Sequence, residues 1–400
     1  MNVLGNTEQR LTLKLRRDLA KTLKRGNPWV FADAIDGAPT APAGTRAILR
    51  NRDGRVLGQG FYDPTRHLAF RMCALGTQTT LDEAWALARL DRAAKLRQRF
   101  IDPSTTDGFR LVNGEGDGMP GLVVDVYGKA AVVVLDGPGA EAFWSALGVA
   151  HWTRERLGLK HVYQRFRVRG EAQGQSLVGD EPSAPVRFRE NGITFMADLR
   201  RGQKTGFFLD QRDNRQRVRR LATGCSVLNI CGYTGGFSVY AFAGGAHSVT
   251  TVDRARPALD MASMIWSANG FPGAAHEVVE ADMFGFLEQA EAARRRWDVV
   301  ILDPPSFAPS KKTVPAAEKA YVKLIAAGAR VTQTGGLLIA ASCSSHMTPE
   351  RFVELCRDGV GHGRARATLL AVHGQPADHP APLALDAFRY LKFVVMRLER

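Results

Sequence analysis

Five cysteines in 400 residues, Cys73, Cys225, Cys231, Cys343 and Cys356, are too few and too scattered to frame a fold. None stands in a C-x-x-C pair or at metal-ligand spacing, so a disulfide scaffold and a structural metal are not expected; a reducing, cytoplasmic setting fits. No run of 18 or more apolar residues occurs and no charged-then-apolar leader opens the chain, which argues against a membrane span and a secretory signal. No internal repeat is visible. Acidic residues are the minority: 40 Asp and Glu against 54 Lys and Arg leave a formal charge of +14. That excess favours an acidic polymer as partner, nucleic acid being the commonest, although a solvated basic surface is the plainer alternative. At 45% apolar and 24% charged the composition is that of a soluble protein, and the length calls for two or three domains.

The chain is organised around residues 227–253, VLNICGYTGGFSVYAFAGGAHSVTTVD. An apolar run ends at Asn229-Ile230, the chain turns through Gly232, Gly235 and Gly236, a helix-compatible run follows from Phe237 to Ala243, and a β-rich run closes at Asp253. Strand, glycine turn, helix, strand is the first half of a doubly wound α/β sheet. An acid about twenty residues past the turn lies where such folds hold an adenosine ribose. A dinucleotide would ask for G-x-G-x-x-G; Gly232-Tyr233-Thr234-Gly235-Gly236-Phe237 lacks that spacing and any lysine for a phosphate. S-adenosylmethionine, an adenosine ligand without phosphate, fits better.

Three further strand-like runs end in polar residues that belong at the same sheet edge. Val299 to Leu302 ends in Asp303-Pro304-Pro305-Ser306-Phe307, where two prolines must stop the ladder. Gly336 to Ala341 ends in Ser342-Cys343-Ser344, and Glu277 to Val279 is followed by Ala281-Asp282-Met283-Phe284.

With these motifs the C-terminal half resembles a class I S-adenosylmethionine-dependent methyltransferase, and nearly the whole chain is similar to the PUA-domain-containing 23S ribosomal RNA cytosine-5 methyltransferases. The lead-in Lys204-Thr205-Gly206-Phe207-Phe208-Leu209-Asp210-Gln211-Arg212-Asp213-Asn214-Arg215 and the late pieces Asp378-His379-Pro380 and Tyr390-Leu391-Lys392 belong to the likeness. The resemblance implies a PUA-like β-barrel over residues 1–76, an α+β bridging domain over 77–190 and a Rossmann-like methyltransferase domain over 191–400. It assigns cofactor contacts to Phe208, Asp210, Asn229, Gly232, Tyr233, Thr234, Gly235, Phe237, Asp253, Asp282, Met283, Asp303 and Pro304. Ribosomal RNA is the implied partner, no metal is called for, and the oligomeric state stays open, a homodimer included.

At the N-terminus, Arg16, Arg17, Lys21, Lys24 and Arg25 accompany a short helix-compatible segment, followed by β-like runs at Trp29 to Phe31, Ala47 to Leu49, Val56 to Tyr62 and Leu68 to Met72. These basic residues, with Lys204 and Arg212 from the basic stretch 200–220, are candidate RNA phosphate contacts. The periodicity predicts helices over 80–100 and 140–157, strands at 110–113, 122–127, 130–135, 162–165 and 193–197, and a linker between 165 and 189. The acidic turn 113–118 reads as a hairpin connection, since a calcium loop would need more carboxylates.

Carbon 5 of cytosine is a weak nucleophile until a thiolate adds to carbon 6. Cys343, at a strand end and about forty residues after Asp303, is the candidate; Asp303 would hold the base edge or the cofactor, and Pro305 and Phe307 would meet the base. A packing role is the alternative for Cys343 and for Phe307. The second cysteine that many RNA cytosine-5 methyltransferases carry is Pro305 here. The target base would have to be single-stranded or flipped. Rival readings are an RNA amino-group methyltransferase, for which D-P-P-x-F suffices, and a non-catalytic RNA-binding or assembly factor.

Overall fold

The computed structural model describes residues 1–5, 10–166, 174–182, 184–308 and 310–400, which form two compact units. Met1–Gly192, Met196–Leu209 and Ala377–Phe388 make the first; Ile193–Phe195, Asp210–Pro376 and Arg389–Arg400 make the second. None of the helices among the described residues is long and apolar enough to cross a membrane.

The first unit opens with β1 (Arg10–Lys14), a short α1 (Ala20–Lys24), β2 (Trp29–Phe31), β3 (Thr45–Arg50), β4 (Val56–Tyr62) and β5 (Leu68–Leu75). The strands form one sheet, β1-β3-β4-β5-β2, in which only β1 and β3 run parallel. Period-two alternation drives it: β3 buries Thr45, Ala47 and Leu49 and leaves Arg46, Ile48 and Arg50 half-covered. Leu13, Leu23, Val30 and Phe70 close the core beneath.

Next come α2 (Glu83–Arg97), β6 (Gly108–Asn113), β7 (Leu122–Tyr127), β8 (Ala130–Leu135), α3 (Pro138–Phe143), α4 (Ala146–Leu157), β9 (His161–Arg165) and β10 (Gly174–Val178). They build a second sheet, β10-β9-β8-β7-β6, and β11 (Val186–Glu190) with β12 (Ile193–Ala197) makes a two-stranded one. Two expectations are corrected here. The single helix expected over 140–157 is two: Trp144 is extended, its indole donates to Pro120 O at 2.9 Å, and the Ser145 hydroxyl restarts the helix by accepting from Gly148 N. The expected linker contains β10 and β11; a polar, glycine-bearing strand at a sheet edge reads like a loop, and Gly174 is required because a Cβ there would lie 2.3 Å from Gln164 O. Residues 167–173 and 183 of that stretch lie outside the described residues.

The turn between β6 and β7 is the electrostatic hub of this unit. Glu115 accepts from the Trp29 indole at 2.8 Å and pairs with Arg71 at 2.9 Å. Asp117 holds Arg97 through two bonds of 2.5 and 2.8 Å, with both side chains no more than 3% exposed. Arg97 also donates to the carbonyls of Arg110 and Asp378, Arg110 N donates to the Asp378 carboxylate, and Asn113 donates to Pro380 O. These bonds draw the late segment Ala377–Phe388 into the first unit.

The second unit contains α5 (Arg212–Leu221), β13 (Ser226–Ile230), α6 (Gly236–Ala243), β14 (Ser248–Asp253), α7 (Arg256–Ala268), β15 (His276–Glu280) and α8 (Met283–Ala292). It continues with β16 (Trp297–Leu302), α9 (Val314–Val331), β17 (Thr332–Ser342), α10 (Pro349–His362), β18 (Arg366–His373) and β19 (Lys392–Glu399). The seven strands lie in the order β15-β14-β13-β16-β17-β19-β18, the first five parallel and β19 antiparallel to both neighbours. Val227, Leu228, Ile230, Val300, Ile301 and Leu338 are wholly buried, as strands covered on both faces require. The order reverses between β13 and β16, where open α/β sheets bind ligands.

Beneath the first turn runs a buried polar chain: Asn229 Nδ2 donates to Ser238 Oγ at 2.9 Å, Ser238 meets Thr251 at 2.7 Å, and Thr251 meets His276 Nε2 at 2.8 Å. The His276 ring also stacks on Trp266 at 4.1 Å. Burial lowers its pKa to about 4.

Two predictions follow from this packing. Arg97→Met strands the Asp117 carboxylate and should cost about 3–5 kcal/mol in urea unfolding, whereas Arg97→Met with Asp117→Leu should recover much of it. Because the unfolded state binds the His276 proton first, stability should fall as pH drops from 6.5 toward 4, by on the order of 2–3 kcal/mol. Urea titrations across that range should show this loss in the wild type and not in His276→Asn.

Candidate active site

β13 ends at Ile230 and the next five residues make a turn whose backbone is left-handed at Cys231 (φ 58°), Tyr233 (φ 49°) and Gly235 (φ 75°). Two side-chain-bearing residues in that region cost about 1–3 kcal/mol each and persist only where their surroundings hold them. Here the bonds are Gly232 N to Val252 O (3.0 Å), Gly235 N to Gly232 O (2.8 Å) and Tyr233 N to the Asp253 carboxylate (2.9 Å). A Cβ at Gly232 would lie 2.6 Å from the Thr251 methyl and 2.9 Å from Asn229 Nδ2, so the turn admits no side chain there. Phe237 is buried and stacks on Phe393 at 5.7 Å.

Asp253, at the end of β14, takes the Tyr233 amide on one oxygen and the Ala255 amide on the other, each with lone pairs to spare. Asp282 follows β15 and caps α8, accepting from Phe284 N and Gly285 N, while staying exposed. Asp303 follows β16; its carboxylate accepts from Gln211 Nε2 at 3.1 Å, and its amide donates to Ile230 O. Cys231 registers their convergence: burial first, then the charges of Asp253, Asp303 and Asp282, push its thiol up to about 12. Its sulfur rests 3.5 Å from Met283 Sδ.

On the other side of Asp303, β17 delivers Ser342, Cys343 and Ser344. The serines are buried and spent on structure: Ser342 accepts from the Tyr321 hydroxyl at 2.9 Å, and Ser344 donates to Ala308 O at 3.1 Å. Cys343 between them is half-buried. The Tyr321 phenol is raised by burial first and then by the charges of Cys343 and Asp303, so both lie within electrostatic range of it. Pro304 is buried and Pro305 exposed. The half-buried Phe307 ring packs on Tyr321 at 4.8 Å, with the core.

The remaining sequence candidates fall as follows. Asp210 accepts from the Tyr390 hydroxyl at 2.7 Å, and Arg212 is buried in α5 beside Asp213, at 3.5 Å. Asn229 and Thr234 are buried, and Asn229 Oδ1 and Thr234 Oγ1 make no hydrogen bond, which leaves polar capacity at the turn. Phe208 and Lys204 belong to the first unit, the ammonium 4.5 Å from the ring centre. Arg16, Arg17, Lys21, Lys24 and Arg25 are all exposed, Arg17 paired with Asp33 at 3.1 Å. Sequence reasoning missed Gln211 and Lys392 as site residues. Both sat inside quoted motifs, but only the fold brings Gln211 to Asp303 and Lys392 beside Cys343.

Among the described residues no cluster of His, Cys, Asp or Glu is suited to a metal ion. A narrow glycine turn, an acid with free lone pairs after β14 and acids after β15 and β16 fit an adenosine ligand that brings a cationic, not a phosphorylated, tail.

Comparison with known proteins agrees. A family model of S-adenosylmethionine-dependent methyltransferases matches residues 147–360, and one of PUA-like domains matches 13–74. The "Ribosomal RNA large subunit methyltransferase" of Deinococcus radiodurans is 36% identical, covering all of both chains. The "Ribosomal RNA large subunit methyltransferase I" of Alteromonas mediterranea is 34% identical over 94% of this chain and 96% of its own. A putative SAM-dependent methyltransferase from Streptococcus mutans superposes with a TM-score of 0.84 at 25% identity, over 97% of this chain and 100% of that one. A putative methyltransferase complexed with SAH gives 0.83 at 26%, over 97% and 99%. A PUA-like domain, a doubly wound sheet and strand ends suited to adenosine thus meet in one chain, which belongs to the S-adenosylmethionine-dependent methyltransferases.

Proposed function

We propose that the protein methylates carbon 5 of a cytosine in large-subunit ribosomal RNA, probing the base with Cys343 as covalent nucleophile. The observation that carries this is Cys343, partly open to solvent between two buried serines, one strand over from Asp303 at the sheet edge. The curated relatives named for large-subunit ribosomal RNA supply the substrate class.

On this reading residues 1–76 grip RNA, 77–190 bridge and 191–400 catalyse. Asp253 holds the ribose hydroxyls, the turn from Gly232 to Gly235 lies under the adenosine, and Asp282 and Met283 border the ring. The bound cofactor supplies a methyl group on a sulfonium. Cys343 attacks carbon 6 of the flipped base, which makes carbon 5 nucleophilic, and it leaves again once carbon 5 has lost its proton. Asp303, steadied by Gln211, accepts from the base amino group or from the cofactor's cationic end. Phe307 keeps Tyr321 seated against Ser342, and Pro304 ends β16 so that the Asp303 carboxylate faces outward from the sheet edge.

Cys343→Ala should abolish methyl transfer while leaving the calorimetric affinity for S-adenosylmethionine unchanged; full activity in that variant would select amino-group methylation instead. The 5-methylcytosine map of large-subunit ribosomal RNA should lose one site when the protein is absent. Phosphate contact by the exposed N-terminal cations should appear as salt dependence. Lys21→Gln with Lys24→Gln should weaken RNA binding and flatten the slope of log K against log salt by about 0.7 per lost contact, for single-stranded RNA.

A further inference from the structure

We propose that Lys392 activates Cys343: its buried ammonium favours the thiolate over the thiol, so that the nucleophile stands ionised beside a positive charge. The inference rests on the reading of Cys343 as nucleophile and adds the group that makes it reactive.

Lys392 begins β19 and lies directly opposite Ser342 in the antiparallel ladder with β17. From there its ammonium reaches past the strand end and donates to the carbonyls of Ser344 and Tyr390, the latter at 2.7 Å. Cys343 is the residue between its register partner and its acceptor. The side chain is wholly buried, and among the described residues no carboxylate lies within ion-pair distance of it. Two carbonyls satisfy two of its three N–H groups and none of its charge. A buried ammonium without a counter-charge is costly, so either it gives up its proton or a negative group stands beside it.

Both tendencies are visible. Burial draws the lysine down to about 8, and the charge that raises it is that of Cys343. A cation beside a thiol favours its ionised form, and the thiolate in turn holds the buried lysine protonated. Three other described groups near the strand end act differently. The Tyr321 phenol is raised and donates to Ser342, and the Asp303 charge opposes a thiolate. His373, opposite Phe393 on β18, is lowered by burial and by Arg217.

The step balances without an outside acid. The Cys343 thiol loses its proton to solvent, its sulfur lone pair makes the bond to carbon 6, and the carbon 5–carbon 6 π pair moves to carbon 5, which takes the methyl group. The carbon 5 proton leaves to solvent. When the sulfur–carbon bond breaks, its electron pair returns to sulfur beside the same ammonium. Lys392 is therefore a positioning residue that acts through Cys343, with no contact to the base required.

The test is the pH dependence of Cys343 alkylation by iodoacetamide in the full-length protein, read on the Cys343 peptide by mass spectrometry. In the wild type the half-maximal rate should fall below the pH of an ordinary cysteine, about 8.5. Lys392→Met should raise that midpoint by a unit or more and slow alkylation at pH 7 about tenfold, and Lys392→Arg should keep the low midpoint. A lysine that merely ties the strand end would lower the melting temperature of Lys392→Met and leave the midpoint in place, which overturns the proposal. If Lys392→Met does not fold, the wild-type midpoint decides: a value at or above that of ordinary cysteine is equally fatal. Alkylation needs no methyl transfer, so a low, lysine-dependent midpoint in a protein that makes no 5-methylcytosine would uphold the pairing and sink only the proposed reaction.

Discussion

The register of β13 against β14 and β16 is the constraint on which the second unit depends. Val227 to Ile230 pair with Val249 to Val252 on one side and with Val299 to Leu302 on the other. All three strands run the same way, so each ends at the same edge and each polar residue that follows emerges there: Cys231, Asp253 and Asp303. A slip of one residue would turn Asn229 away from Ser238 and carry the apolar set of β13 to the opposite face. Full burial of both faces of these strands makes such a slip prohibitively costly, and so the edge is built to the accuracy of the core.

What lies at that edge is mostly negative. The turn after β13 must bend tightly enough for Tyr233 N to reach Asp253, which is why it tolerates left-handed backbone at two residues other than glycine. The anchored carboxylates raise the neighbouring Cys231 thiol together with its burial. An edge of this charge repels a pyrophosphate and suits a sulfonium, so the electrostatics and the missing phosphate-binding glycine spacing exclude the same ligands for separate reasons.

Much of this was legible in the chain because it depends on local periodicity. The parallel strands are short apolar runs closed by Asp, Gly or Pro, and the turn from Gly232 to Gly236 announces itself by composition. What escaped depends on pairing across distance. Trp144 breaks a helix because Pro120 O is there to receive its indole, and β10 is a strand because β9 offers it an edge. Ala377–Phe388 joins the first unit through Arg97 and Asn113, partners more than 260 residues away in sequence. Lys392 reads as one more basic residue at the start of an apolar run; its meaning comes from standing opposite Ser342 in a ladder that closes fifty residues of chain.

Two cysteines reach this sheet edge, and their surroundings separate them. A thiol held near 12 is ionised to about one part in 10⁵ at pH 7, too little for the attack that the proposed reaction needs. Cys231 is in that position because burial and three carboxylates act on it together. Cys343 lies one strand over from Asp303, and the buried Lys392 ammonium, bonded to Ser344 O, feels its charge. Burial works in opposite senses at the two positions. Around Cys231 it adds to like charges and suppresses the anion; around Cys343, on the proposed pairing, it would strengthen an attraction between thiolate and ammonium that water would screen. Exchanging the two local charge environments, and not the cysteines themselves, is what would move nucleophilic character from one strand end to the other.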